Sequence, residues 1–169
     1  MPGTYEKIAT NTVSGSSTTN VNFNSIPSTY TDLVLIASNI INPTNLATMY
    51  IRFNSDSTSA YSDTYMEGNG SSGSSARDLN QTSLIAIGRS YGGDLTTNII
   101  NIMNYANTTT FKTAISRYGS GGASSAVGAA AGMWRSTSAI TSITVGIQGG
   151  YIFSSGAVLT LYGIKAADL

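Results

Sequence analysis

Asp56, Asp63 and Glu67 form the densest group of carboxylates in the chain. Paired carboxylates can hydrolyse a glycosidic bond, one as acid and the other as base or nucleophile. That chemistry requires one of them to keep its proton near neutral pH, which takes an apolar shell. Residues 54–78, NSDSTSAYSDTYMEGNGSSGSSARD, surround them with hydroxyls and glycines instead. These carboxylates therefore read as solvated turn residues, and no catalytic residue and no enzymatic activity is expected. Asn54, Asp56 and Asp63 also offer the hard oxygen donors that calcium gathers. The stretch lacks the alternate acidic positions and closing Glu of an EF-hand loop. Asn54 and Asp56 are read as Asx turns at a strand end, and no metal or cofactor is expected.

Trp134 is the only tryptophan and is followed by Arg135. Together with a tyrosine it could stack on a sugar ring, but its place at a strand end favours capping the core. The ten tyrosines are scattered, with no spacing that gathers them into a ladder. Cysteine and histidine are both absent. Their absence excludes disulfides, thiolate nucleophiles, ordinary zinc sites and every triad built on histidine.

The elements that would position these residues are strands. Residues 157–164 alternate, with Val158, Thr160, Tyr162 and Ile164 on one face and Leu159 and Leu161 on the other. The same reasoning finds strands at 5–12, 18–23, 31–38, 48–53, 82–89, 98–105, 111–118 and 141–147. Residues 18–23 follow a Ser-Gly-Ser turn and are expected to pair with 5–12 as a hairpin. Residues 31–38 are a nearly continuous apolar run, which predicts a central strand buried on both faces. Residues 98–105 and 111–118 read as an antiparallel hairpin.

The 123–134 segment is ambiguous. Its alanines favour helix, whereas Gly128 and Gly132 oppose one by roughly 1 kcal/mol each. Read as a strand, it places Gly128, Ala130 and Gly132 on one face, where small side chains would let another backbone or subunit approach. These three residues are the expected subunit contacts. Residues 54–78 are expected to be a flexible polar loop. The whole predicts one domain over 1–169, an all-β, jelly-roll-like antiparallel β-sandwich of about nine or ten strands. The last strand is expected to close the sandwich beside or near the first.

Only 9% of the 169 residues are charged, against roughly 25% in an average soluble protein, and eight basic residues balance eight acidic ones. They occur singly, so no basic stripe exists to neutralise phosphates and no nucleic-acid partner is expected. No basic segment followed by an apolar run opens the sequence, so a Sec-type signal peptide is not expected. No apolar run approaches the ~18 residues that cross a bilayer, so no membrane partner is expected either. A surface of hydroxyls and amides repels itself weakly, which suits a subunit assembled against copies or partners.

Six phrases carry a resemblance across nearly the whole length: YEKIAT at 5–10, IPSTYTDLVL at 26–35, RFNSDSTSAYS at 52–62, NYANTTTFKT at 104–113, WRSTSAITSIT at 134–144 and LYGIK at 161–165. In their order and spacing they resemble small virion proteins of tailed bacteriophages, the decoration, cement or tail-associated structural proteins. Two positions depart from that pattern. Asn54-Ser55-Asp56 stands where the family has Asn-Gly-Asp, and Gly156-Ala157 stands where it has Gly-Ser. The resemblance implies a β-sandwich virion component. The expected function is a capsid decoration or cement protein on the outer surface of the head, made in the host bacterial cytoplasm. Its expected partners are its own copies, as a homotrimer, and the major capsid protein or other virion proteins. The alternative is a tail, baseplate or spike module that binds host-surface carbohydrate.

Overall fold

A computed structural model describes residues 4–41, 47–90, 93–122 and 126–165. Twelve strands form among them: β1 (Tyr5–Thr12), β2 (Asn20–Phe23), β3 (Asp32–Ile40), β4 (Ala47–Phe53), β5 (Tyr61–Gly68), β6 (Gly73–Gln81), β7 (Leu84–Ser90), β8 (Thr96–Met103), β9 (Lys112–Ser120), β10 (Val127–Trp134), β11 (Ile143–Ile147) and β12 (Val158–Ile164). One turn of 3-10 helix, Gln148–Gly150, follows β11. No helix among the described residues is long and apolar enough to cross a membrane.

The strands make two antiparallel sheets, ordered β1-β12-β3-β8-β9-β10-β5-β6 and β2-β11-β4-β7. Four pairs, β1 with β12, β2 with β11, β3 with β8 and β4 with β7, are the rungs of a ribbon folded back on itself. Rolling that ribbon sets β12 between β1 and β3, and β11 between β2 and β4. This connectivity is a jelly roll. Two inserted strand pairs widen it. β5 and β6 leave the ribbon between β4 and β7, β9 and β10 leave it between β8 and β11, and all four extend the larger sheet beyond β8.

The last strand does pair with the first, and it is flanked by β3 on its other side. Two expectations are corrected. The strand at 18–23 forms, but it pairs with β11 in the smaller sheet rather than with β1. The ribbon crosses from one sheet to the other after β1, so the Ser-Gly-Ser turn joins sheets rather than hairpin partners. The stretch read as a polar loop, 54–78, holds β5 and most of β6, which accounts for the twelve strands in place of nine or ten. β5 sends Tyr61 and Asp63 into the interior. The turn to β6 is built by Asn69, whose Oδ1 accepts the amides of Ser71 and Ser72 at 3.1 and 2.8 Å, and by Gly70 at φ 88°. β6 is exposed along most of its length. Its backbone ladder with β5 holds it in place, which a hydrophobicity pattern does not register.

The core lies between the sheets. Leu33, Leu35, Ile51, Ile100, Ile102, Ile143, Val145, Leu159 and Leu161 fill its centre. Phe53, Tyr61 and Trp134 close one end, with ring centroids 5.6 to 6.3 Å apart.

Candidate functional site

β10 runs between β9 and β5, and its two faces have opposite fates. Gly128, Ala130, Gly132 and Trp134 turn inward. A Cβ at Gly132 would stand 2.7 Å from Leu84 Cδ2 on β7, and one at Gly128 would stand 2.4 Å from Cζ of Tyr118. The expected subunit contacts at Gly128, Ala130 and Gly132 are therefore corrected. Their missing side chains make room for β7 and the Tyr118 ring inside the same chain. Trp134 is only 2% exposed, so it caps the core as expected.

The opposite face of β10 presents Val127, Ala129, Ala131 and Met133. Register places Met66 of β5 beside Ala129, and Ile115 of β9 beside Ala131. Leu79 of β6 borders the same shallow depression as Ala131 and Met133. Val127 is 67% exposed and Met66 66%, and Leu79, Ile115 and Met133 are also open to solvent. Among the described residues, most exposed large apolar side chains thus gather on one sheet face. Contiguous exposed apolar patches on a monomer often mark an interaction site. On β5, β6, β9 and β10 the charges of this face are Arg77 and Arg117, which pair in register with Thr64 and Ala129.

The carboxylates considered for catalysis or calcium serve three separate structural purposes. Asn54 follows β4 at φ 51°. Its Oδ1 accepts the amides of Thr141 and Ser142 at 2.8 and 3.1 Å, and its Nδ2 donates to the Ala139 carbonyl at 2.8 Å. Asp56 accepts the Thr58 amide and hydroxyl, and the Trp134 indole N–H at 2.6 Å. Burial would raise the Asp56 carboxyl, but these bonds, aided by the Arg52 charge, hold it below its ordinary value. Among the described residues no cluster of three or more acidic side chains is placed to hold a metal ion. Glu67 pairs with Arg89 of β7 at 2.8 Å, and the guanidinium lies 4.7 Å from the Tyr65 ring centroid and 5.7 Å from that of Tyr118.

Asp63 is the odd carboxylate. It is 3% exposed, opposite Asp78 in register. Oδ2 accepts the Ile85 amide at 2.8 Å, while Oδ1 is buried with no partner. Burial pushes the group up to about 6, against the opposing pull of the Ile85 and Ala86 amides. The folded chain therefore holds a proton that the unfolded chain, with an aspartate near 3.8, has lost. Stability falls as pH rises from about 4 to about 6, by up to about 3 kcal/mol, and is flat in this term above and below that window. Asp63→Asn is expected to remove the slope, since its carbonyl still accepts the β7 amides. Urea unfolding at pH 4, 5, 6 and 7 measures it, and parallel curves for the two proteins would contradict the assignment.

A second buried charge, Lys112, is fully enclosed beside Trp134 and donates to the carbonyls of Thr110 and Thr137 at 2.8 and 3.2 Å. Burial lowers its pKa. Nothing in the sequence pattern distinguished this lysine from an exposed one.

No family model and no curated protein matches the chain. A crystal structure of a protein of unknown function from Shewanella oneidensis MR-1 aligns over 99% of this chain and 78% of its own, at 12% identity and a TM-score of 0.22. That likeness carries nothing over to this chain.

Proposed function

We propose that this chain is a structural subunit of a tailed-bacteriophage particle, a decoration or cement protein that binds the outer surface of the head and stabilises the shell. The observation that carries the reading is the apolar, nearly uncharged face of β9, β10, β5 and β6. A sheet face of this kind binds by burying area rather than by reacting, and contacts repeated around a shell add up by mass action. The jelly roll supplies a rigid backing, because β10 is braced from behind by Leu84 and Tyr118. In this reading the subunits form a homotrimer and meet the major capsid protein through the exposed face. The six resembling phrases support it: they supply parts of β1, β3 and β12 and the connections from β4 to β5, β8 to β9 and β10 to β11. Copy number and position in particles of the phage that encodes the chain test the proposal. A decoration protein is present in hundreds of copies on the head, and a tail part in tens or fewer.

A further inference from the structure

The smaller sheet carries a different kind of surface on its outer face. Asn20, Gly146 and Tyr50 lie side by side on β2, β11 and β4. With no side chain at Gly146, the Tyr50 ring lies across the strand: a Cβ there would stand 2.5 Å from ring atoms Cε1 and Cζ. The Tyr50 hydroxyl donates to Asn20 Oδ1 at 2.6 Å, which fixes the ring in that plane. Two residues on, Arg52 donates from Nε to the Thr82 carbonyl at 3.1 Å, and its guanidinium stands 5.7 Å from the ring centroid. Gln148, Gly149 and Gly150 form the facing wall, with both glycines at positive φ, 78° and 74°. The cleft between these groups has a volume of about 320 Å³.

This is a half-buried aromatic floor with amide, hydroxyl and guanidinium groups around it, each set by a bond within the fold. Tyrosine also covers glycine at Tyr30–Gly163 and Tyr118–Gly128. Tyr118 is enclosed between the sheets and Tyr30 donates to Glu6. The Tyr50 pair instead floors an open cleft. Its volume suits one or two sugar rings, at the lower end of ligand pockets. The cleft's charge is the Arg52 guanidinium, with no carboxylate among its lining residues, and arginine grips a carboxylate through paired N–H donors.

We infer that this cleft binds an acidic saccharide, with the sugar ring on Tyr50 and its carboxylate on Arg52. Ring stacking supplies the floor contact, and the pinned side chains lower the ordering cost of binding. The inference does not rest on the virion reading, because the cleft lies on the sheet opposite the apolar face.

An array of immobilised oligosaccharides containing glucuronic, galacturonic or sialic acid, each beside its neutral counterpart, tests it with the full chain. Acidic sugars are expected to be retained about tenfold or more above the neutral ones, the size of one charge-assisted contact. Arg52→Gln should erase that preference, and Tyr50→Ala should weaken all binding by about tenfold. Should Tyr50→Ala fail to fold, Gln148→Ala, at the cleft wall, is expected to weaken binding in its place. Retention of no sugar, preference for neutral sugars, or acidic preference surviving Arg52→Gln would overturn the inference. Sugar binding by a chain absent from phage particles would leave it standing while refuting the virion reading.

Discussion

A chain ending at Gly156 is expected not to fold. β12 is not an appendage: it pairs with β1 on one side and β3 on the other, near the middle of the jelly-roll part of the larger sheet. Its loss removes two fully buried leucines, Leu159 and Leu161, and the buried Ala157. Each leucine contributes roughly 1.5 to 3 kcal/mol. Two backbone ladders go as well, leaving β1 detached and the edge of β3 open. Together these losses match the ~5 to 15 kcal/mol that keeps a domain folded, and the open edge favours aggregation. Soluble yield and circular dichroism of the 1–156 chain check the expectation. A cooperative thermal transition in that protein would show that the roll closes without its last strand.

Asn54→Ala is expected to cost about 3 to 4 kcal/mol, a large effect for one residue at the surface end of a strand. Its amide joins the end of β4 to the Ala139, Thr141 and Ser142 backbone just before β11. Alanine deletes all three bonds and leaves two amides and a carbonyl in need of water. Asparagine also tolerates the left-handed φ of 51° better than alanine does. Asn54→Gly separates the two causes, since glycine relieves the backbone but restores no bond. Urea unfolding is the measurement. A midpoint shift worth under about 0.5 kcal/mol for the alanine variant would contradict the assigned role.

The strands of the rolled ribbon were legible because each alternates with period two or runs apolar between turn residues. β1 matches its expected limits, and β3, β4, β8, β9 and β12 lie within a few residues of theirs. β5 and β6 were obscured because their interior-facing residues include Asp63, and because β6 is held by its ladder rather than by burial. The signal present was Asn69-Gly70, the dipeptide of a tight hairpin turn. The two faces of β10 were separable from sequence, and of the two neighbours considered for its small-residue face, another segment or another subunit, the fold supplies a segment of the same chain. Trp134 shares its parity with Gly132, Ala130 and Gly128, so a tryptophan that caps the core carries all three inward. Val127 and Met133 then face out.

The roles of Asn54 and Asp56 were half legible. Both were read as Asx turns. Asp56 makes one with Thr58, whereas Asn54 sits in a turn closed by the Asp56 amide on the Phe53 carbonyl and extends its side chain to residues 139–142. Sequence alone does not show that Asn54 reaches residues 139–142 or that Asp56 reaches Trp134, because those contacts arise only once the ribbon is rolled. They join the phrase RFNSDSTSAYS to the phrase WRSTSAITSIT through side-chain hydrogen bonds. The resembling segments therefore encode the scaffold more than any chemistry. Likewise Tyr50, one tyrosine among ten, is set apart only by Gly146 lying beside it in register.

Assembly through the face of β9, β10, β5 and β6, as proposed above, is read out by a reconstruction of the phage particle. A decoration protein is expected on the outer surface of the head in hundreds of copies, with Val127, Met133 and Met66 buried against a neighbouring subunit or the shell. Particles assembled with a Val127→Glu, Met133→Glu double variant should lack the protein, although the variant folds, because both side chains already face solvent. Absence of the wild-type chain from the particle, or its presence with that face open to solvent, would refute the proposed role.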